Sequence, residues 1–358
     1  MKQVHARAPG KAVLLGEYAV TLGAPALALA VDRQACVTLS CCQPGDCALS
    51  APQLGVTELD FRAEPSGQLL WNVDHPRWEA VARTASLLSL LHKLAVEHFG
   101  DPGPYRIEID TSALFARHAD TQVKLGLGSS SAVAVALDAA LRCLCSGSSR
   151  SGLSMDALKR LLQPYRRDQD GRGSGIDLAT SLCGGVISYQ REGEHVEVKR
   201  VSLPADLALL LVWTGEQAST PRLLAAFDAW RERSPQSAEE LMAQMHASCL
   251  AGQQALEQND SEALLTQFSV YGQLMGTMGG LMGAEIITPV LEGIAAQAGR
   301  LGVACKPSGA GGGDLALLAS ADPGRLHELR SWLEDRGLLV FAPGLDDSGV
   351  RADWRDLN

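Results

Sequence analysis

The sequence lacks the features that mark membrane-spanning, secreted and nucleic-acid-binding proteins. Within its 358 residues, no apolar run approaches the roughly 20 residues that a transmembrane helix needs. The stretch from Met1 to Arg7 is short and polar, unlike a signal peptide. Lys and Arg number 31 against 41 Asp and Glu, and the net charge of −10 argues against nucleic acid or an anionic membrane as a partner. We therefore expect a cytoplasmic protein that binds neither.

Cysteine patterns that are typical of metal sites are also missing. The chain has nine cysteines, but none of them forms a Cys-x-x-Cys pair and no paired His-x₃-His accompanies them. Zinc sites and disulfide frameworks are therefore disfavoured. Reduced cysteines in a cytoplasmic protein fit the pattern better.

The composition is that of a folded globular protein with a substantial core. Hydrophobic residues make up 46% and charged residues 20% of the chain. The length favours two domains, and mixed strand and helix patterns predict an α+β fold divided into residues 1–202 and 203–358. The Pro-Gly pair at Pro9 predicts a break between two short strands, Val4–Ala8 and Ala12–Leu15.

The clearest motif is a glycine- and serine-rich loop, Lys124-Leu-Gly-Leu-Gly-Ser-Ser-Ser-Ala132, that runs directly into an apolar helix. Gly126 and Gly128 leave room for a phosphate, and the unpaired amides at the helix start attract an anion. The loop has neither the Gly-Lys-Ser/Thr ending of a Walker loop nor the third glycine of a dinucleotide site. A flexible linker is the alternative interpretation, although linkers seldom continue straight into an apolar helix.

A second glycine-rich loop, Lys306-Pro-Ser-Gly-Ala-Gly-Gly-Gly-Asp314, lies between two predicted strands. Its glycines allow the backbone to approach a ligand closely, and Ser308 can donate a hydrogen bond to a phosphate or carboxylate. Asp314 can fix the loop by bonding to backbone amides. An elaborate turn without a ligand is the alternative.

Two charged residues stand at positions where a solvated side chain is not expected. Lys11 begins a buried strand, and an ammonium there requires an anionic partner. Asp177, in Gly173-Ser-Gly-Ile-Asp177, follows a flexible loop and opens an apolar helix. The simpler interpretations are a surface lysine and an aspartate that caps a helix.

Taken in order, these motifs resemble the GHMP kinases, the family of galacto-, homoserine, mevalonate and phosphomevalonate kinases, along essentially the whole chain. Pro9-Gly-Lys11 with Gly16-Glu17-Tyr18 matches the first family motif, Gly126–Ala132 the second and Ser308–Asp314 the third. The resemblance implies a ribosomal-protein-like N-terminal α/β domain and a ferredoxin-like C-terminal domain. A ligand sensor that keeps the fold without activity is disfavoured, because the lysine, the aspartate and the loop hydroxyls are all present.

Within the family, the chain resembles the phosphomevalonate kinase branch. Tyr18 stands where mevalonate kinases and galactokinases typically carry histidine, and the forms of the Lys124, Asp177 and Lys306 motifs also resemble that branch. A mevalonate kinase, another small-molecule kinase of the family and a mevalonate-pathway decarboxylase remain as alternatives. The implied reaction moves the γ-phosphoryl group of ATP, with Mg²⁺, to the terminal phosphate of 5-phosphomevalonate in a monomer or homodimer.

The resemblance also assigns roles to individual residues. It implies Lys11 and Asp177 as the catalytic residues and Ser130 as a ligand of Mg²⁺. The ATP-binding residues would be Lys124, Gly126, Leu127, Gly128, Ser129, Ser130 and Ser131. The acceptor-binding residues would be Lys11, Glu17, Tyr18, Ser174, Asp177, Ser308, Gly309 and Gly311.

One position departs from the family pattern. Mevalonate kinases place a magnesium-binding glutamate eleven residues before the catalytic aspartate, and Arg166 stands there in this chain. Asp168, Asp170 or water would have to replace that ligand, since Mg²⁺ commonly keeps several waters. Arg172 and Lys306 are further candidates for contacting the acceptor phosphate, because of their positions beside the loops.

Overall fold

A computed structural model of the chain describes residues 2–64, 66–119, 121–151, 154–168 and 173–356. The strands are β1 (Lys2–Leu15), β2 (Ala26–Cys41), β3 (Ala48–Ala51), β4 (Val56–Ala63), β5 (Leu69–Trp71), β6 (Tyr105–Asp110), β7 (Phe115–His118), β8 (Thr121–Lys124), β9 (Arg150–Ser151), β10 (Val186–Glu192), β11 (His195–Val201), β12 (Ala208–Trp213), β13 (Ala304–Ser308), β14 (Leu315–Ser320), β15 (Leu339–Phe341) and β16 (Arg351–Asp356). The helices are α1 (Trp78–Phe99), α2 (Ser129–Ser146), α3 (Met155–Asp168), α4 (Ile176–Cys183), α5 (Thr220–Arg233), α6 (Pro235–Glu257), α7 (Ser261–Met282), α8 (Pro289–Arg300) and α9 (Pro323–Glu334). Short 3₁₀ turns cover Ala19–Leu22, Pro52–Leu54 and Ser112–Leu114. The predicted α+β class is confirmed.

The first half of the chain is built around one large sheet. Its main strand order is β5-β4-β3-β6-β2-β1-β16-β9, and β10 joins it by pairing with both β2 and β11. Helices α2 and α4 pack on β1 and β2, so the two central strands are covered by apolar helices. Residues 12–15 of β1 and 26–31 of β2 are continuously apolar and buried, whereas the other halves of both strands alternate between buried and more exposed residues.

Strand β1 is one strand, not the two that the Pro-Gly pair predicted. Its pairing with β2 shifts register between Pro9 and Lys11, so the irregularity is a bulge within a continuous strand. A side chain at Gly10 would come within 2.6 Å of the Leu127 carbonyl oxygen. The Lys11 amide donates to that same oxygen at 2.8 Å. The bulge therefore allows the phosphate-loop candidate to lie directly against β1.

The second sheet has the order β13-β14-β12-β15, with neighbouring strands antiparallel. Strand β12 is followed by helices, then β13 and β14, then α9 and β15, which is the β-α-β-β-α-β pattern of a ferredoxin-like unit. The prediction for this part of the chain is therefore confirmed.

The segment 351–356, assigned by sequence to the second half, lies in the first sheet. Strand β16 runs antiparallel to β1 and pairs Arg351 with Arg7 and Ala352 with Ala6. Ala6 and Ala352 are both fully buried. The remainder of the predicted division at residues 202 and 203 stays a prediction.

Helix α2 occupies the centre of the first half. Among the described helices, it is the one long and apolar enough to span a membrane by length and composition, and 72% of it is buried in the protein. Residues Ala132–Leu137 are nearly all inaccessible to solvent. The apolar character of α2 is accounted for by this packing in the core.

Candidate active site

The predicted motifs from both halves of the chain surround one cavity of about 590 Å³. From the first half the cavity is lined by Lys11, Lys124, Gly126, Gly128, Ser129, Ser130 and Asp177. From the second half it is lined by Ser308, Gly309, Gly311 and Asp314. Residues as far apart in sequence as Lys11 and Ser308 are thus brought together around a space large enough for a small molecule.

The loop that precedes α2 presents backbone amides and one serine hydroxyl to the cavity. Gly126 and Gly128 have φ values of 73° and 72°, in the left-handed region that favours glycine. Ser131 Oγ donates to the Gly128 carbonyl oxygen at 2.7 Å, so this hydroxyl closes the turn. Ser129 is buried, whereas Ser130 is exposed at the cavity wall. An anion can therefore be bound by the helix-start amides and Ser130, with Leu127 and Ser131 holding the loop in shape.

The second glycine-rich loop closes over the first. A side chain at Gly126 would come within 2.6 Å of Asp314 Cβ, so Asp314 lies directly against the phosphate loop. The Asp314 amide donates to the Glu216 carbonyl oxygen at 2.8 Å, and its own carbonyl oxygen accepts from Thr214 N at 2.9 Å. Burial raises the pKa of the Asp314 carboxyl, while the Ala218 backbone, Lys124 and Lys11 oppose that shift. Asp314 therefore fixes the loop to the segment after β12.

Lys11 and Asp177 line the same cavity. Asp177 lies in the first turn of α4, after Gly175 with φ of 90°. Its Oδ2 accepts a hydrogen bond from the Tyr165 hydroxyl at 2.8 Å. Gly175 holds the cap position of this helix, and Asp177 Oδ1 accepts from the Leu178 amide in the first turn at 3.0 Å. Asp177 is therefore not the N-cap residue; one of its oxygens bonds a first-turn amide, and the residue also lines the cavity. Tyr165 was not identified from sequence, because no motif marks it.

A smaller cavity of about 130 Å³ adjoins the large one and shares Lys11, Asp177 and Gly309 with it. Its walls also include Glu17, Tyr18 and Ser174. Lys11 and Asp177 thus stand where the two cavities meet. This is the position from which a side chain can contact two ligands at once.

Tyr18 fixes one wall of the smaller cavity. Its hydroxyl donates to the Ala310 carbonyl oxygen at 2.6 Å, and its ring centroid lies 5.1 Å from that of Phe227. Burial, reinforced by the Glu17 charge, raises the pKa of Tyr18 well above its ordinary value. The phenol therefore stays protonated and serves as a hydrogen-bond donor. Ser174 Oγ accepts from Ile176 N at 3.4 Å, at the turn before α4.

Glu17 and Lys306 form a buried ion pair between the two halves of the chain. Lys306 Nζ donates to Glu17 Oε1 at 2.5 Å, and the side chains are 0% and 3% exposed. Burial lowers the pKa of Lys306, and Glu17 opposes that shift. Lys306 Nζ also donates to the Pro307 carbonyl oxygen at 2.5 Å. The proposed contact of Lys306 with an acceptor phosphate does not fit this burial.

The Ser308 hydroxyl is occupied by backbone. Its Oγ donates to the Val13 carbonyl oxygen at 3.1 Å and accepts from Val13 N at 3.1 Å. These two hydrogen bonds to β1 connect the second glycine-rich loop to the strand that carries Lys11. Ser308 lines the cavity, but its hydroxyl is used to hold the two halves together.

A third cavity of about 260 Å³ opens beside the phosphate loop and shares Lys124 and Ser130 with the large cavity. Its apolar walls include Leu54, Leu87 and Val133. Arg83 lies in the lining of both cavities. Sequence reasoning missed this pocket, since its walls come from separate elements that share no motif.

The described residues contain no group of three or more His, Cys, Asp or Glu side chains that could hold a metal ion by themselves. A magnesium ion at this site would therefore rely on ligand phosphates, water and Ser130, which is exposed at the cavity and bears a suitable oxygen. Asp170 and Arg172 lie outside the described residues, as does the side chain of Asp168.

The convergence of helix-start amides, two glycine-rich loops, a lysine and an aspartate defines a site for transferring phosphate between two ligands. The chain belongs to the GHMP kinase family, whose members use ATP, and residues 86–185 match the model described as GHMP kinases N terminal domain. It is 31% identical to the phosphomevalonate kinase of Streptomyces sp. (strain CL190), covering 93% of this chain and 94% of that one.

Other relatives agree on the family and differ in acceptor. The mevalonate kinase of Pyrococcus horikoshii is 27% identical over 99% of this chain and 98% of its own length. The solved structure of Streptococcus pneumoniae phosphomevalonate kinase, in complex with phosphomevalonate and AMPPNP, has a TM-score of 0.74 at 20% identity, covering 94% of this chain and 99% of that one. The last likeness shows the fold, and the predicted GHMP kinase fold is confirmed.

Proposed function

We propose that this protein transfers the γ-phosphoryl group of ATP to the terminal phosphate of 5-phosphomevalonate, giving the 5-diphosphate. The observation that carries the proposal is the position of Lys11 and Asp177 at the junction of two cavities. The large cavity and the apolar pocket beside it suit the triphosphate and the base of a nucleotide. The small cavity suits the acceptor. The likeness to a phosphomevalonate kinase over 93% of the chain supports this choice of acceptor.

In the proposed reaction, an oxygen of the acceptor phosphate attacks the γ-phosphorus and the bond to the β-phosphate oxygen breaks, releasing ADP. The attacking oxygen is already anionic, so a strong base is not required. The larger task is to hold two polyanions in line and to stabilise the charge of the transferring group. Lys11 supplies positive charge at the junction of the cavities, and Asp177 orients Lys11 and the acceptor.

Glu17 offers a specific contact to the acceptor. Its Oε1 accepts from Lys306 and from the Gly309 amide, at 3.2 Å for the latter. Its Oε2 is buried and has no hydrogen-bond partner in the protein, although Glu17 lines the small cavity. A buried carboxylate oxygen without a donor is costly. A hydroxyl group of the acceptor would supply that donor.

Magnesium would be held by the ATP phosphates and water, with the Ser130 hydroxyl as the protein ligand. When bound, such an ion neutralises the phosphate charge that develops during transfer. Arg166 stands where mevalonate kinases carry a magnesium-binding glutamate. The protein would therefore contribute few ligands, which suits an ion that commonly keeps several of its waters.

The Ser130→Ala variant tests this assignment. Removal of the hydroxyl is expected to raise the magnesium concentration needed for half-maximal nucleotide binding by several-fold, because one inner ligand is lost. The measurement is calorimetric titration with ATP at graded magnesium concentrations. Ser131→Ala serves as the control for the loop, because its hydroxyl closes the turn at Gly128. An unchanged magnesium requirement in Ser130→Ala would remove Ser130 from the metal shell.

Mevalonate is the second candidate acceptor, since a mevalonate kinase covers 99% of this chain at 27% identity. Tyr18, in place of the histidine that mevalonate kinases typically carry, favours 5-phosphomevalonate. With mevalonate, a hydroxyl would be the nucleophile, and Asp177 would act as its general base.

A turnover assay with magnesium and ATP tests the acceptor directly. ADP release is measured side by side with 5-phosphomevalonate, mevalonate and 5-diphosphomevalonate. We expect ADP release only with 5-phosphomevalonate and no CO₂. Release with mevalonate would move the acceptor to the second candidate. If none of the three compounds causes ADP release while ATP still binds, the proposed acceptor is wrong.

A further inference from the structure

In the Glu17–Lys306 pair, Glu17 lines the small cavity, whereas Lys306 lies behind it and lines neither cavity. Glu17 lies in the turn after β1, and Lys306 lies in β13 of the second sheet. Glu17 Oε1 accepts from Lys306 Nζ at 2.5 Å and from the Gly309 amide at 3.2 Å. One carboxylate oxygen therefore joins the lysine to the glycine-rich loop.

Stability alone is a poor explanation for this pair. Both side chains are almost completely buried, at 0% exposure for Lys306 and 3% for Glu17. Removing two charges from water is so costly that well-packed apolar residues often stabilise a core as well or better. A buried pair that also bonds to a functional loop fits a role in positioning that loop.

The loop needs such anchoring because its own sequence leaves it flexible. Gly309 and Gly311 have φ values of 106° and 78°, and glycine imposes no conformation of its own. Glu17 and Tyr18 of the first half form hydrogen bonds with Gly309 and Ala310 of the loop, respectively. Glu17 accepts from the Gly309 amide, and the Tyr18 hydroxyl donates to the Ala310 carbonyl oxygen at 2.6 Å.

We propose that Lys306 is a positioning residue: by holding the Glu17 carboxylate, it fixes the Gly309 amide at the junction of the two cavities. The proposal rests on the proposed function, because the position of this loop matters only if phosphate is transferred there. Lys306 itself lines neither cavity, and its side chain is 0% exposed. The loop that it positions lines both cavities through Gly309.

Replacing Lys306 with Met tests the proposal. The thioether fills similar space but leaves the Glu17 carboxylate without its cation, so the carboxylate no longer holds the Gly309 amide in one place. We expect kcat to fall about tenfold or more, because a displacement of about 1 Å near a reacting centre has effects of this order. The dissociation constant for ATP should change by less than about threefold. The phosphate loop is anchored separately, through Lys11 N and the Leu127 carbonyl oxygen.

The measurements are steady-state kinetics with the acceptor that the wild-type protein uses and calorimetric titration with ATP, both on protein shown to be folded by circular dichroism. A Cys305→Ala variant is the matched control, since it changes the neighbouring position of β13 and should retain the wild-type kcat. The double variant Glu17→Gln/Lys306→Met removes the buried charge while keeping an oxygen for the Gly309 amide. It should recover part of the kcat lost in Lys306→Met.

Two results would overturn the proposal. One is a wild-type kcat in folded Lys306→Met. The other is a loss of ATP affinity in this variant that is as large as its loss of kcat. If Lys306→Met does not fold, Lys306→Gln carries the same expectation, since it also removes the positive charge that holds Glu17. An inactive wild-type protein would count against the proposed function instead. The two failures are therefore distinguishable.

Discussion

Asp177→Asn is expected to lower turnover by about 100-fold while leaving ATP binding nearly intact. The substitution keeps the size of the side chain and removes the charge that orients Lys11 and the acceptor. Asp177 faces the junction of the two cavities, whereas the phosphate loop that binds ATP begins at Gly126 on a different element. Turnover and ATP affinity should therefore separate in this variant.

Single-turnover kinetics and calorimetric titration with ATP provide the two readings. Tyr165→Phe is the matched comparison, because it removes the hydrogen bond to Asp177 Oδ2 but keeps the carboxylate. Its loss of turnover should be smaller than that of Asp177→Asn. If Asp177→Asn instead fails to bind ATP, the role of Asp177 is structural.

Gly126→Ala is expected to weaken ATP binding by about 100-fold or more, since phosphate contacts at a preorganised loop contribute several powers of ten. The added methyl group would lie 2.6 Å from Asp314 Cβ, so one of the two glycine-rich loops must move. The φ of 73° adds strain of about 1–2 kcal/mol for a residue with a side chain.

Gly337→Ala separates strain from steric contact. Gly337 has a φ of 74°, almost the same as Gly126, yet a methyl group there meets nothing within 4 Å. Backbone strain should lower the thermal stability of both variants by a similar amount. Gly126→Ala should lose additional stability, because its methyl group also meets Asp314. ATP affinity should fall only in Gly126→Ala. Equal ATP affinity in the two variants would contradict the contact between the loops.

The sequence was most informative where chemistry restricts the choice of residue. Glycine adopts the positive φ at Gly126 and Gly128 without strain, and amides at the start of an apolar helix must find a partner. These local requirements identified the phosphate loop and the second glycine-rich loop before any fold was known. Lys11 and Asp177 are predictable in the same way, because a charge at the edge of a buried segment requires a partner.

The sequence was least informative where the partner lies far along the chain. Lys306 stands beside a loop, and position alone suggested contact with a ligand, although its ammonium bonds to Glu17. The Ser308 hydroxyl suggests a ligand contact, but it bonds to the backbone of Val13. Tyr165 carries no motif, and its bond to Asp177 depends on how α3 and α4 pack. Such pairings are set by tertiary structure and leave no local pattern.

The pairing of β1 with β16 has a consequence for the order of folding. The strand that carries Lys11 is completed on one side by residues close in the chain and on the other by residues 351–356. Contacts between such distant residues form slowly, because a long stretch of chain must first be brought together. During synthesis, the phosphate loop can thus be made long before its neighbouring strand has both of its partners. Assembly of the catalytic centre is therefore expected to occur late in folding, after most of the chain has been synthesised.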